Sequence, residues 1–75
     1  MNDIESRLRT FLEKKGFAGV QGGDRFEDLH GWDSITHAEF LIFIQKQFGV
    51  RFSPADFNRM RTLSEVAALI DEKSR

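Results

Sequence analysis

The sequence predicts an all-α fold: a small four-helix bundle with a long first loop and a short third helix. Three observations lead there. Apolar residues recur at helical spacing in three separate stretches, Ile4 to Leu12, Phe40 to Phe48 and Leu63 to Ile70. The chain holds a single proline, which suits a few long helices better than many short strands with their turns. Five of the six glycines fall within residues 16–32, so the first two periodic stretches are parted by a segment with no regular period. At 75 residues the chain is sized for one domain, residues 1–75.

Each element has its own signals. Ile4, Leu8, Phe11 and Leu12 follow the i, i+4, i+7, i+8 pattern of an amphipathic helix. Gly16 lies just past Lys14 and Lys15, where a left-handed cap and a cationic last turn both fit, so the first helix is expected from about Asp3 to Lys15. Residues 16–32 form a loop longer than most connections in a compact domain, with Phe17, Val20, Phe26 and Leu29 available to pin it to the core. Asp33 suits the N-cap of the second helix and Gly49 its end. The run Phe40-Leu41-Ile42-Phe43-Ile44 would by itself pass for a buried strand. The fifteen residues between Asp33 and Gly49 decide for helix, with Phe40, Leu41, Ile44 and Phe48 on one face. Ser53, Pro54 and Asp56 then start a short helix expected over Pro54 to Met60. Thr62 and Glu65 form a second capping-box pattern ahead of a last helix lined by Leu63, Val66, Ala67 and Ile70. Those faces pack as an antiparallel bundle.

Composition narrows the functional classes. A chain this small buries a modest share of its surface, and it compensates with apolar bulk: 40% hydrophobic residues, including eight Phe. It has no cysteine, so neither a disulfide nor a thiolate metal site can form, and any sulfur chemistry would have to come from a bound or attached group. Net charge is −1, which gives no electrostatic case for binding nucleic acid. The charge is uneven: residues 1–33 hold seven acidic and five basic side chains, residues 34–75 five and six. The opening residues mix Asp3, Glu5, Arg7 and Arg9 with apolar positions and do not read as a targeting signal. Nothing approaches the roughly 20 apolar residues of a membrane span. The expectation is a cytoplasmic monomer.

The chemistry concentrates at one helix start. Ser34 follows the Asp33 cap, in a turn where several amides lack helical partners and the dipole presents partial positive charge. A phosphate ester on that hydroxyl would be electrostatically favoured. Spacing alone also fits ordinary helix-start chemistry, in which a serine beside an aspartate cap has no further role. A serine hydrolase built on Asp33, Ser34 and His37 is disfavoured, because neighbouring side chains at a helix start do not make a buried, oriented base, and no oxyanion hole is evident. His30 and His37 with Asp33 have no recognised metal spacing, so no metal site is predicted and His37 is expected to face solvent or a partner.

The run "WDSITHAEFLIFIQKQFGVRFSPADFNRMRTLSEVAALI", residues 32–70, resembles the acyl and peptidyl carrier proteins. Their signature is Asp-Ser-Leu at the head of the second helix, an apolar helix ending in Phe and a small-residue turn, a second apolar strip and a Thr-capped final helix. The tripeptide alone is a weak motif; tripeptide, length, helix order and spacing together are strong. The resemblance implies an acyl-carrier-type bundle, a non-catalytic carrier whose phosphopantetheine is donated by coenzyme A and joined to Ser34 through a phosphodiester. Asp33 matches the aspartate that helps the modifying phosphopantetheinyl transferase bind magnesium. Ile35 replaces the usual leucine, and Ala38, Glu39 and Ile42 match positions that touch partners, namely the transferase and the acyl-loading and acyl-transferring enzymes. Phe40, Ile44 and Met60 lie where acyl carriers shelter the chain between helices, although plain core packing explains these three equally well. An arm tipped with a thiol carries the acyl group as a thioester, which agrees with a chain that has no cysteine of its own.

Departures from the family pattern are informative. Only Glu39 keeps the usual acidic character of the second helix: Gln45, Lys46 and Gln47 stand where three acids are common, and Thr36 where a fourth often is. Arg51, Arg59 and Arg61 add positive charge beyond it. Docking is therefore expected to rely less on salt-sensitive attraction than on apolar fit, as in a specialised carrier of lipid or secondary-metabolite synthesis. Phe43 stands where the family more often has a small residue, with no reason visible in the sequence. Two alternatives remain: an aminoacyl or peptidyl carrier, which shares fold and attachment chemistry, and an unmodified helical interaction module.

Overall fold

In a computed structural model, residues 3–74 are described. Four α-helices follow in order: α1 (Asp3–Lys14), α2 (Ser34–Phe48), α3 (Pro54–Phe57) and α4 (Leu63–Lys73), with one 3-10 turn at Phe26–Asp28. Among the described residues no strand forms, only an isolated antiparallel bridge between Arg25 and Thr62. The architecture is the expected all-α bundle, and α1 lies along α4.

The periodic apolar positions supply the core. Leu8 and Leu12 of α1, Phe40 and Ile44 of α2, and Leu63, Val66, Ala67, Leu69 and Ile70 of α4 are buried together. The loops add Val20, Phe26, Val50 and Met60 to the same cluster. Among the described residues no polar or charged one is buried, so the side chains of the interior make no hydrogen-bonding demand beyond that of the backbone.

Caps set the helix ends much as their residue types require. Asp33 caps α2, and Gly49 closes it at φ +66°, the left-handed conformation that glycine adopts without Cβ strain. The Asp56 carboxylate accepts the Ser53 N–H at 2.8 Å ahead of α3. At α4, Thr62 Oγ1 accepts the Glu65 N–H at 3.2 Å, while Glu65 Oε1 accepts the Thr62 and Arg61 N–H groups, each at 3.1 Å. Two boundaries differ from expectation. α1 ends at Lys14, one residue early. α3 stops at Phe57 and not at Met60, and the chain reaches Met60 through turns in which Arg59 N–H donates to Asp56 O and Met60 N–H to Phe57 O. Burial of Met60 is met by that turn, without a further helical residue. Ion pairs Asp56–Lys73, at 2.9 Å, and Arg59–Glu72 hold α3 and the turn after it to α4.

The long first loop is stitched to the start of α4. Phe26 N–H donates to Arg61 O at 2.9 Å and Ser64 N–H to Gly22 O at 3.0 Å. All four expected anchors take part: Val20 and Phe26 are buried, and Phe17 and Leu29 pack half-buried against the core. Trp32, which sequence reasoning did not single out, is a fifth.

Candidate functional site

The entry into α2 is held by aromatic packing. Gly31, at φ +87°, turns the chain, and Trp32 N–H donates to Leu29 O at 3.1 Å. The indole then stacks on Phe26, with centroids 5.0 Å apart and planes at 16°. It meets Phe17 at 5.3 Å and Phe40 at 5.7 Å, both edge-on. The residue before Asp33 is thus fixed by rings from the loop and from α2 itself.

Asp33 is extended, at φ −135°, and its Oδ1 accepts the Thr36 N–H at 2.8 Å. That bond holds its carboxyl below the usual carboxylate range. Ser34 is the first helical residue and is exposed. Among the described residues no hydrogen bond engages its hydroxyl. It stands beside an open depression formed by Phe26, Trp32, His37, Phe57 and Met60, with Arg61 also on the wall.

His37 is placed differently from the sequence expectation. It is half-buried, its ring meets Trp32 edge-on at 5.9 Å, and burial lowers its pKa, favouring the neutral imidazole. The reason is angular: His37 precedes Phe40 by three residues and Ile44 by seven, so it shares their inward side of α2 and not the outward one. No hydrogen bond joins its side chain to Ser34 or Asp33 among the described residues, its backbone N–H donating to Asp33 O at 2.9 Å as a helix bond, so no triad is assembled. Nor do three or more His, Cys, Asp or Glu side chains gather to hold a metal among those residues.

The outward side of α2 carries an apolar stripe. Ile35 is 70% exposed, Ile42 53%, and Ala38 lies exposed between them. Glu39 borders the stripe, but its carboxylate is 3.2 Å from Lys15 Nζ of the segment following α1. On the inward side Phe40 and Ile44 are fully buried in the core. Met60 is also buried, yet forms part of the depression beside Ser34. Phe43 stacks on Phe11 at 4.5 Å and 24°, covering the seam between α1 and α2. Gln45 also has a local role, its Nε2 donating to Leu41 O at 3.3 Å and its Oε1 accepting the Phe52 N–H at 3.4 Å.

This arrangement suits a phosphodiester. The hydroxyl is solvent-facing and unengaged, it sits at the positive end of a fifteen-residue helix, and a long substituent on it meets no wall that must move. The family model for the phosphopantetheine attachment site matches residues 18–70, from the long loop through α4. The chain belongs to that family, whose domains carry covalently attached phosphopantetheine and are in general carriers and not catalysts. No curated protein and no solved structure matches the chain. Among the described residues no helix is long and apolar enough to cross a membrane.

Proposed function

We propose that Ser34 is the residue that carries phosphopantetheine, and that the domain holds an acyl intermediate on that arm and presents it to the enzymes of a cytoplasmic lipid or secondary-metabolite synthesis. The observation that carries this reading is the exposed, unengaged Ser34 hydroxyl at the first residue of α2, directly after the Asp33 cap. The attached group supplies a terminal thiol on which cargo rides as a thioester. The protein's part is placement. Trp32 and the Asp33–Thr36 bond hold the start of α2 in one conformation, so a modifying transferase meets a preformed target. The ionised Asp33 carboxylate beside the hydroxyl supports the magnesium-dependent modification. Ile35, Ala38 and Ile42 offer an apolar strip to the transferase and to acyl-loading and acyl-transferring enzymes, with Glu39 at its edge. Met60, with Phe40 and Ile44 deeper behind it, is the floor against which cargo near the arm would rest.

The test is an intact mass after incubation with coenzyme A, magnesium and each of several phosphopantetheinyl transferases. Gain of one phosphopantetheine by the full chain, and none by Ser34→Ala, is the expected result. No gain with any transferase would leave an unmodified interaction module. Identification of the thioester species on protein isolated from its native host then separates acyl from aminoacyl cargo.

A further inference from the structure

We infer that the enzyme surface received by α2 carries carboxylates: the exposed side of this helix is a strip for an apolar ridge flanked by acidic side chains. The inference rests on the reading of α2 as the docking element, and it adds the chemistry of the partner.

Three observations carry it. The one acidic residue of α2, Glu39, is neutralised by Lys15 at 3.2 Å. Lys46 and Arg51 are both exposed, and neither is in an ion pair among the described residues. With Ile42, Val50 and Phe52 they line a shallow depression at the far end of the Ile35–Ala38–Ile42 stripe. Gln45, the remaining polar side chain there, has its amide committed to Leu41 O and the Phe52 N–H. The strip therefore ends in two unpaired positive charges with no local carboxylate to offset them. At about 1.5 Å of rise per residue, Lys46 lies roughly 18 Å along the helix from Ser34. A partner whose active site receives the arm at Ser34 thus meets these cations about 18 Å away. A basic surface at that distance would be repelled; carboxylates there would steer encounter and fix orientation. A narrow stripe with two cations at one end suits a protein ridge better than a broad lipid face.

The test needs no turnover and uses the full chain without coenzyme A. The probes are a phosphopantetheinyl transferase with a basic carrier-docking surface and its charge-swapped form, the docking lysines and arginines replaced by glutamate. Dissociation constants are read by fluorescence anisotropy at low and high ionic strength. The full chain should bind the charge-swapped form about five- to tenfold more tightly in about 0.02 M salt, and the preference should shrink in about 0.3 M salt. The double variant Lys46→Glu/Arg51→Glu, shown by circular dichroism to keep its helix content, should reverse the preference. Tighter binding of the full chain to the basic form overturns the inference, as does a preference that the double variant leaves unchanged. Binding to anionic lipid vesicles that depends on Lys46 and Arg51, with no preference between the two transferases, also overturns it. A carrier that gains no mass at Ser34 refutes the attachment reading; a wrong charge preference in a chain that does gain it refutes only the docking chemistry.

Discussion

Phe40 and Ile42 stand two residues apart on α2 and should separate stability from docking. The Phe40 ring is fully buried and meets Phe26 at 5.0 Å and Phe11 and Trp32 at 5.7 Å each. Truncation to alanine in such a setting costs about 3–5 kcal/mol, against roughly 4–11 kcal/mol available to a domain of this size, so Phe40→Ala is expected to unfold in part. Phe40→Leu keeps most of the aliphatic burial but loses the ring contacts and leaves a small void, for about 1–2 kcal/mol. At ~4–8 °C per kcal/mol, its Tm should fall by roughly 5–15 °C. Ile42→Ala removes a side chain that is 53% exposed and should shift stability by less than about 0.5 kcal/mol. The functional readout runs the other way. Below its Tm, Phe40→Leu keeps the Phe26–Trp32 stack that braces the start of α2 and should be modified at Ser34 with KM little changed, whereas Ile42→Ala should raise KM for enzymes that dock on α2. Thermal unfolding by far-UV circular dichroism and transferase kinetics on the same samples provide both numbers. If Ile42→Ala proves as destabilising as Phe40→Leu, or Phe40→Leu costs under about 0.5 kcal/mol, the assignment of inward and outward sides of α2 is wrong.

Other perturbations follow from single contacts. Gly49→Ala meets no heavy atom within 4 Å, so only the left-handed backbone at φ +66° resists it, for about 1–2 kcal/mol by chemical denaturation. Thr62→Ala removes the acceptor for the Glu65 N–H and should cost about 1 kcal/mol, seen as a lower Tm with the α2 entry intact. His37 has its pKa lowered by burial, so the unfolded chain takes up that proton at higher pH than the folded one. Stability should therefore decline as pH falls through the ordinary imidazole pKa, near 6.5, and level off below the folded value. Tm measured from about pH 8 to about pH 5 should show that decline flattened in His37→Gln.

What the sequence could disclose depended on whether the deciding contact was local. Asp33, Gly49, Ser53 with Pro54, and Thr62 with Glu65 act on amides within a few residues of themselves, and each marks a helix end that the structure contains. Trp32 escaped notice because its partners Phe17, Phe26 and Phe40 lie six to fifteen residues away, and no local pattern brings those rings together. Phe43 likewise needed Phe11 of α1 opposite it. His37 was a different failure. With no recognised metal spacing around it, the residue was expected at the surface, although its i, i+3, i+7 relation to Phe40 and Ile44 was legible and pointed inward. The Ser34 hydroxyl was readable as a helix-start group, but that no hydrogen bond among the described residues engages it emerges only from the structure.

The two sides of α2 explain why so apolar a helix starts with an exposed serine. A carrier without catalytic side chains has two physical tasks: to hold one attachment point still, and to offer different enzymes a surface they can leave again. With Ser34 as the proposed attachment point, the first calls for rigid, packed contacts near it, and Phe26, Trp32 and Phe40 provide them, Trp32 two residues before Ser34 and Phe40 six after it. The second calls for modest exposed area with few fully desolvated charges, because buried ion pairs at an interface slow dissociation. In the proposed docking role Ile35, Ala38 and Ile42 would meet that need with a narrow stripe, with Lys46 and Arg51 at its end, where rim charges affect encounter more than release. Had the inward side been polar, the start of α2 would lose its aromatic brace; had the outward side been as aromatic as the inward one, partners would part too slowly for a shuttle. On the proposed reading, the apolar excess of α2 is thus two separate requirements met on opposite sides of one helix.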